Sequence, residues 1–152
     1  MDNSKRITNW INNVLTELSY LDNNKGIEIL NQCGKDCCKS SELYQGAVSV
    51  REKYRNEKDD DKLFNEFKSK FYNSERLTKK GETITLVFEE CTCPMVRSGV
   101  DNSFLCNCTI GYSKKIFETL FEKKVIVHLE KTILRGNSVC EQHIKILRRN
   151  KL

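Results

Sequence analysis

The sequence predicts an α+β fold, with N-terminal helices followed by an antiparallel sheet of about four strands and a helix between strands two and three. Apolar residues recur at steps of three and four in the first half, whereas β-branched and aromatic runs bounded by turn residues dominate the second half. A length of 152 residues suits one domain. We therefore expect a single domain over 1–152, with a helical part at 1–78 and a sheet part at 79–147 that carries the cysteine cluster.

Four helices are predicted in the helical part. The apolar positions of the first, which Asn3 or Ser4 would cap, are Ile7, Trp10, Ile11, Val14, Leu15, Leu18 and Leu21. The other three helices carry Ile27 to Cys33, Leu43 to Tyr54 and Leu63 to Phe71. The second is expected to end near Gly34, the third to begin at Ser40 or Ser41, and the fourth to be capped from the acidic run at 59–61.

Four strands and one helix are predicted in the sheet part. The predicted strands are Thr83 to Phe88, Phe104 to Thr109, Val125 to Leu134 and Val139 to Leu147. The helix runs from Ser113 to Lys124, and the turn joining the last two strands lies at 135–137.

Charge and hydropathy limit the classes of function. The formal net charge is only +5, and basic residues do not alternate with aromatic ones, so nucleic acid is not the expected partner. No apolar run reaches the roughly 18 residues that span a bilayer, and the N-terminus lacks the apolar stretch of a signal peptide. We therefore expect a cytoplasmic protein without a membrane partner, whose thiols stay reduced.

The eight cysteines are the main compositional anomaly. Five lie in the sheet part: Cys91, Cys93, Cys106, Cys108 and Cys140. Residues two apart on a strand share a face, and one antiparallel register would oppose Cys93 to Cys106 and Cys91 to Cys108. This pattern predicts four thiols on one face of the sheet.

Clustered reduced thiols are typical of metal ligands or catalytic groups. The predicted metal ligands are Cys91, Cys93, Cys106 and Cys140, with Cys108, Cys33 and Cys37 in reserve. Thiolates favour zinc or an iron–sulfur cluster over hard cations. The alternative interpretation is that several of these cysteines are small core residues.

A catalytic interpretation is also open. Cys93 or Cys106 would be the nucleophile, while His128 and Glu130, which alternate along one strand face, would be base and orienting group. His143 is predicted to lie on the opposite face of its strand from Cys140.

The segment from Cys106 through Gly111-Tyr112, together with Gly136 and Cys140, resembles the 4-vinyl reductase-type small-molecule-binding domain. It is also similar to related bacterial L-2-amino-thiazoline-4-carboxylic acid hydrolases. The resemblance covers about residues 82–147 and implies an antiparallel sheet and flanking helices that enclose a ligand pocket. Some members of that family bind zinc through cysteines, but here Thr132 stands where they have a further cysteine.

These patterns lead to three functional hypotheses. The first is a protein that binds a small molecule or a metal, zinc above all, in a cysteine-lined pocket. The second is a hydrolase of a small sulfur- or nitrogen-containing ring that uses a cysteine thiolate. The third is a ligand or redox sensor that acts as an interaction module. Formation of a homodimer is a further expectation.

Overall fold

The computed structural model describes residues 2–72 and 74–148. Four helices are followed by two strands, a helical segment and two more strands. The strands form one antiparallel sheet, and helices separate its second and third strands. The predicted α+β fold class is therefore confirmed.

The four N-terminal helices are α1 (Asn3–Ser19), α2 (Lys25–Cys38), α3 (Glu42–Lys53) and α4 (Asp60–Ser69). Two predicted caps are confirmed, because the Ser41 hydroxyl accepts from the first turn of α3 and the Asp59 carboxylate accepts from the first turn of α4. Helix α1 is capped by Asp2, whose side chain accepts from the backbone N–H of Ser4, so the predicted caps Asn3 and Ser4 were wrong.

The sheet contains β1 (Leu77–Lys80), β2 (Thr83–Phe88), β3 (Val125–Lys131) and β4 (Cys140–Ile146), in the order β1-β2-β4-β3. Between β2 and β3 lie the short helix α5 (Pro94–Arg97), a 3-10 turn at Ser103–Cys106 and the long helix α6 (Asn107–Phe121). A second 3-10 turn, Ile133–Arg135, connects β3 to β4.

The predicted strand from Phe104 to Thr109 was wrong, because this segment is helical. The Asn102 side chain accepts a hydrogen bond from the backbone N–H of Phe104 at 3.0 Å and starts the 3-10 turn that leads into α6. Six residues are too few to separate a period of 2.0 from one of 3.6. Cys106 and Cys108 are therefore not on a strand, and the predicted rectangle of four opposed thiols does not form.

Other boundaries also differ from the prediction. Strand β1 was missed, because the turn signal at Lys80-Gly81 follows a strand of only four residues. Helix α6 begins and ends earlier than Ser113–Lys124, and α2 continues through Gly34. Strand β3 ends at Lys131 after a bulge.

The main core lies between the sheet and helices α3, α4 and α6. Alternation along the strands turns one side of the sheet inward, and the inward positions include Ile84, Leu86, Val125, Ile144 and Ile146. The opposite face carries Thr83, Ile126 and Lys145, all of them exposed. An antiparallel sheet with one covered face and one open face is a common arrangement.

Helix α1 packs on α2 and on the first 3-10 turn, where it contributes to a smaller second core. Only part of its predicted apolar stripe faces the protein. Leu15 is buried, with Ile11 and Leu18 packed beside it, whereas Ile7 and Trp10 are 60% and 67% exposed. The apolar stripe of α1 is therefore wider than the side of the helix that packs against the rest of the protein.

Candidate functional site

A cavity of about 240 Å³ lies between the inner face of the sheet and helices α2 and α6. Its walls are mainly apolar and include the aromatic rings of Phe67, Phe88, Phe117 and Tyr112. The segment at 90–95, which follows β2, forms one side. For comparison, an engineered apolar cavity of ~150 Å³ binds benzene. The space is large enough for a small organic molecule.

Five of the eight cysteines line this cavity: Cys37, Cys91, Cys93, Cys108 and Cys140. They come from four parts of the fold. Cys37 is on α2, Cys108 is on α6 and Cys140 begins β4. Cys91 and Cys93 lie in the segment between β2 and α5. All eight cysteines are free thiols. Three of the four predicted metal ligands therefore reach a common cavity, although not through the predicted strand pairing.

The remaining predicted cysteines lie close by. Cys33 is exposed on α2, one turn before Cys37. Cys106 ends the first 3-10 turn and does not line the cavity. The buried residue Thr132 lies beside Cys106.

Burial changes the acidity of two thiols at or beside the cavity, those of Cys108 and Cys106. Burial raises the pKa of Cys108 to about 12, and the neighbouring thiols of Cys33, Cys37 and Cys93 act in the same direction. Burial also raises the pKa of Cys106, while the side chain of Thr132 acts in the opposite direction. Both groups are therefore neutral thiols near pH 7 and poor nucleophiles.

A buried polar pair lines the cavity beside its apolar walls. The Ser113 hydroxyl on α6 donates to the side-chain carbonyl of Gln142 on β4, and both residues are only 2% exposed. Gln142 lines the cavity, and its side-chain amide nitrogen is a hydrogen-bond donor that a ligand there could use. The sequence analysis missed both residues. Gln142 alternates with Cys140 and Ile144 along one strand, and this spacing could have indicated a polar residue on the inward face.

Glycine residues bring the two helical walls together. A Cβ atom on Gly34 would lie 1.8 Å from the carbonyl oxygen of Cys108, and one on Gly111 would lie 1.7 Å from the carbonyl oxygen of Asn31. Helices α2 and α6 are therefore in backbone contact, which places Cys37 and Cys108 on one cavity. Gly34 serves this contact rather than ending the helix.

The predicted histidine–glutamate pair lies elsewhere. His128 and Glu130 are exposed on the outward side of β3, where their side chains are 3.1 Å apart, whereas Val125 and Val127 on the same strand point into the core. His143 also faces outward, as predicted from its alternation with Cys140. The candidate base therefore lies on the open face of the sheet, whereas the candidate nucleophile Cys93 lines the cavity on the other face.

Two further properties bear on function. Within the described part of the chain, no group of three or more His, Cys, Asp or Glu side chains is arranged to hold a metal ion. Among the same residues, no helix has the length and apolar character needed to cross a membrane.

The sequence matches one protein family along nearly its whole length. The model of a family described as "Family of unknown function (DUF6144)" matches residues 1–151. No curated protein matches the sequence significantly.

Proposed function

We propose that this chain, which belongs to the DUF6144 family, binds a small molecule in the cysteine-lined cavity. The observation that carries the proposal is the cavity of about 240 Å³ on which five of eight cysteines converge from separate elements. Binding sites for small molecules are typically concave and apolar, with a few polar groups that orient the ligand. The Ser113–Gln142 pair supplies such groups here.

The thiols give the cavity an unusual lining. Sulfur is polarisable and packs favourably against aromatic rings, and Phe88 and Phe117 line the same space. Similarity of residues 82–147 to the 4-vinyl reductase-type domain, which implies a ligand pocket between a sheet and helices, also supports the proposal. Zinc bound by Cys91, Cys93, Cys106 and Cys140 stays a prediction, because no group of three or more ligating side chains among the described residues is arranged to hold a metal ion.

We favour binding over catalysis. A thiol hydrolase needs a base within hydrogen-bonding reach of its nucleophile. His128 and Glu130 face away from the cavity, and Cys106 and Cys108 have raised pKa values. A role as a sensor is compatible with ligand binding, but it requires a partner that the described residues do not identify.

The test is a screen of uncharged fragments by ligand-observed NMR, using the native protein and two matched variants. Cys140→Phe fills the cavity, whereas Thr85→Phe places the same side chain on the open face of the sheet. We expect fragments that bind the native protein and Thr85→Phe but not Cys140→Phe. Equal binding to both variants, or no binding to the native protein, would contradict the proposal. Circular dichroism of both variants checks their folding.

A further inference from the structure

The only two histidines of the chain lie directly opposite each other. His128 on β3 pairs with His143 on β4 in the antiparallel register, with Val127 and Ile144 forming the neighbouring inward pair. The two imidazoles share the open face of the sheet, where their side chains are 68% and 39% exposed. They are therefore accessible and play no part in the cavity.

Each imidazole is held by a carboxylate on its own strand. The Nε2 atom of His128 is 3.1 Å from Glu130 Oε2, and that of His143 is 2.9 Å from Glu141 Oε2. Both contacts use Nε2, which leaves Nδ1 as the second nitrogen of each ring. A carboxylate that holds one ring nitrogen while the other binds a metal is the usual support of a metal-binding histidine.

We propose that His128 and His143 form a surface site for a divalent cation of the zinc or nickel class. The two imidazoles are the protein ligands, Glu130 and Glu141 orient them, and water fills the other positions. This site has two protein ligands, so it is compatible with the absence of any metal-binding group of three or more side chains among the described residues. This site is independent of the cavity and does not rest on the proposed function.

The geometry fits such a cation. Directly opposed side chains have Cβ atoms about 4.5–5.5 Å apart. Metal–nitrogen bonds of about 2.0–2.1 Å place two ligating ring nitrogens within ~4 Å of each other, which is close to the separation of opposed Cβ atoms. Imidazole is a preferred ligand of zinc, nickel and copper. Lys145 lies on the same face opposite Ile126, and the two carboxylates offset its charge.

The test is a titration of the reduced protein with Ni²⁺ by isothermal calorimetry. The variants are His128→Asn, His143→Asn and the double variant, with Thr83→Ala as a control on the same face. Because the thiols are identical in every variant, differences between variants isolate the histidine site. Loss of an outer-shell partner costs about 10–100-fold in metal affinity, and loss of a ligand costs no less. We expect each single variant to lose about tenfold or more.

The double variant distinguishes one shared site from two separate ones. A shared site predicts that the double variant binds no more weakly than either single variant, since one substitution already removes the chelate. Glu130→Gln keeps both imidazoles and should weaken Ni²⁺ binding without abolishing it. Unchanged affinity in both single variants would overturn the proposal. Losses in the single variants that simply add in the double variant would overturn it as well.

Discussion

Substitution of Gly34 by alanine tests how the two helical walls of the cavity are held together. Alanine in a helix interior is normally more stable than glycine by about 0.5–1 kcal/mol. Here the added Cβ atom would lie 1.8 Å from the Cys108 carbonyl oxygen and 2.9 Å from the backbone nitrogen of Tyr112. Backbone atoms cannot rotate away as a side chain can, so α2 must move away from α6.

The expected cost follows from these two opposing effects. Overpacking of a core typically costs about 1–3 kcal/mol, and more where backbone must shift. After the helical preference of alanine is subtracted, Gly34→Ala should lower the free energy of unfolding by about 1–2 kcal/mol. For a chain of this size the melting temperature would then fall by about 2–8 °C.

The matched control is Gly46→Ala in α3. Its Cβ atom would lie 3.1 Å from the ring of Phe71, a side chain that can shift. Thermal and urea unfolding should therefore show Gly46→Ala unchanged or slightly more stable, and Gly34→Ala clearly less stable. If Gly34→Ala is as stable as the native protein, the backbone contact between α2 and α6 is wrong.

Three other predictions concern charge, acidity and ligand access. First, burial raises the pKa of Cys38 to about 11 and that of Cys108 to about 12 from a usual 9.0, so the unfolded chain loses these protons first. The stability that these neutral thiols contribute is complete below the pKa of the unfolded chain, and it is lost as the pH rises towards 12. The midpoint of urea unfolding in reducing buffer should therefore fall between about pH 8 and about pH 10. The fall should be smaller in Cys108→Ala. Second, the largely buried Arg51 donates to the carbonyl oxygens of Leu120 at 2.9 Å and Glu57 at 3.2 Å. Arg51→Met should cost about 2 kcal/mol in urea unfolding, as for other charged hydrogen bonds, and Lys53→Met should cost almost nothing. Third, Gln142→Leu should weaken the binding of fragments that carry a carbonyl group and leave purely apolar fragments unaffected, as measured by NMR titration; an equal loss for both kinds would contradict a polar role for this amide.

The helical part could be predicted from local signals. Spacing of apolar residues located all four helices, and the capping residues Ser41 and Asp59 fixed two of their starts. What these signals could not show is which side of a helix is covered. Helix α1 has an apolar stripe wider than its contact surface, so Trp10 stayed exposed against expectation.

The sheet part was harder, because short segments carry little periodicity. Phe104 to Thr109 alternates like a strand, yet the cap at Asn102 and the close packing of Gly111 on α2 favour a helix there. The cysteine cavity was therefore expected for a partly wrong reason. Cys91 and Cys93 line it from the segment after β2 rather than from a strand, and Cys37 and Cys108 do so through a helix crossing that only tertiary structure reveals.

The same limit applies to the polar residues of the site. Ser113 and Gln142 are far apart in sequence and are joined by packing of α6 on β4. The opposition of His128 and His143 likewise depends on a strand register that a bulge at Glu130 shifts by one residue. Alternation along a strand predicts which face of the sheet each histidine occupies, but it does not predict that the two histidines lie opposite each other.

The central claim is that a ligand occupies the cavity shared by five thiols. The direct measurement is the alkylation rate of each cysteine by peptide mass spectrometry, with and without a fragment found in the NMR screen. The account predicts that the fragment slows alkylation of Cys37, Cys91, Cys93, Cys108 and Cys140, with the smallest effect at the exposed Cys37. Alkylation of Cys33, which does not line the cavity, should be unaffected. Protection of Cys33 to the same degree, or no protection of the five, would contradict it.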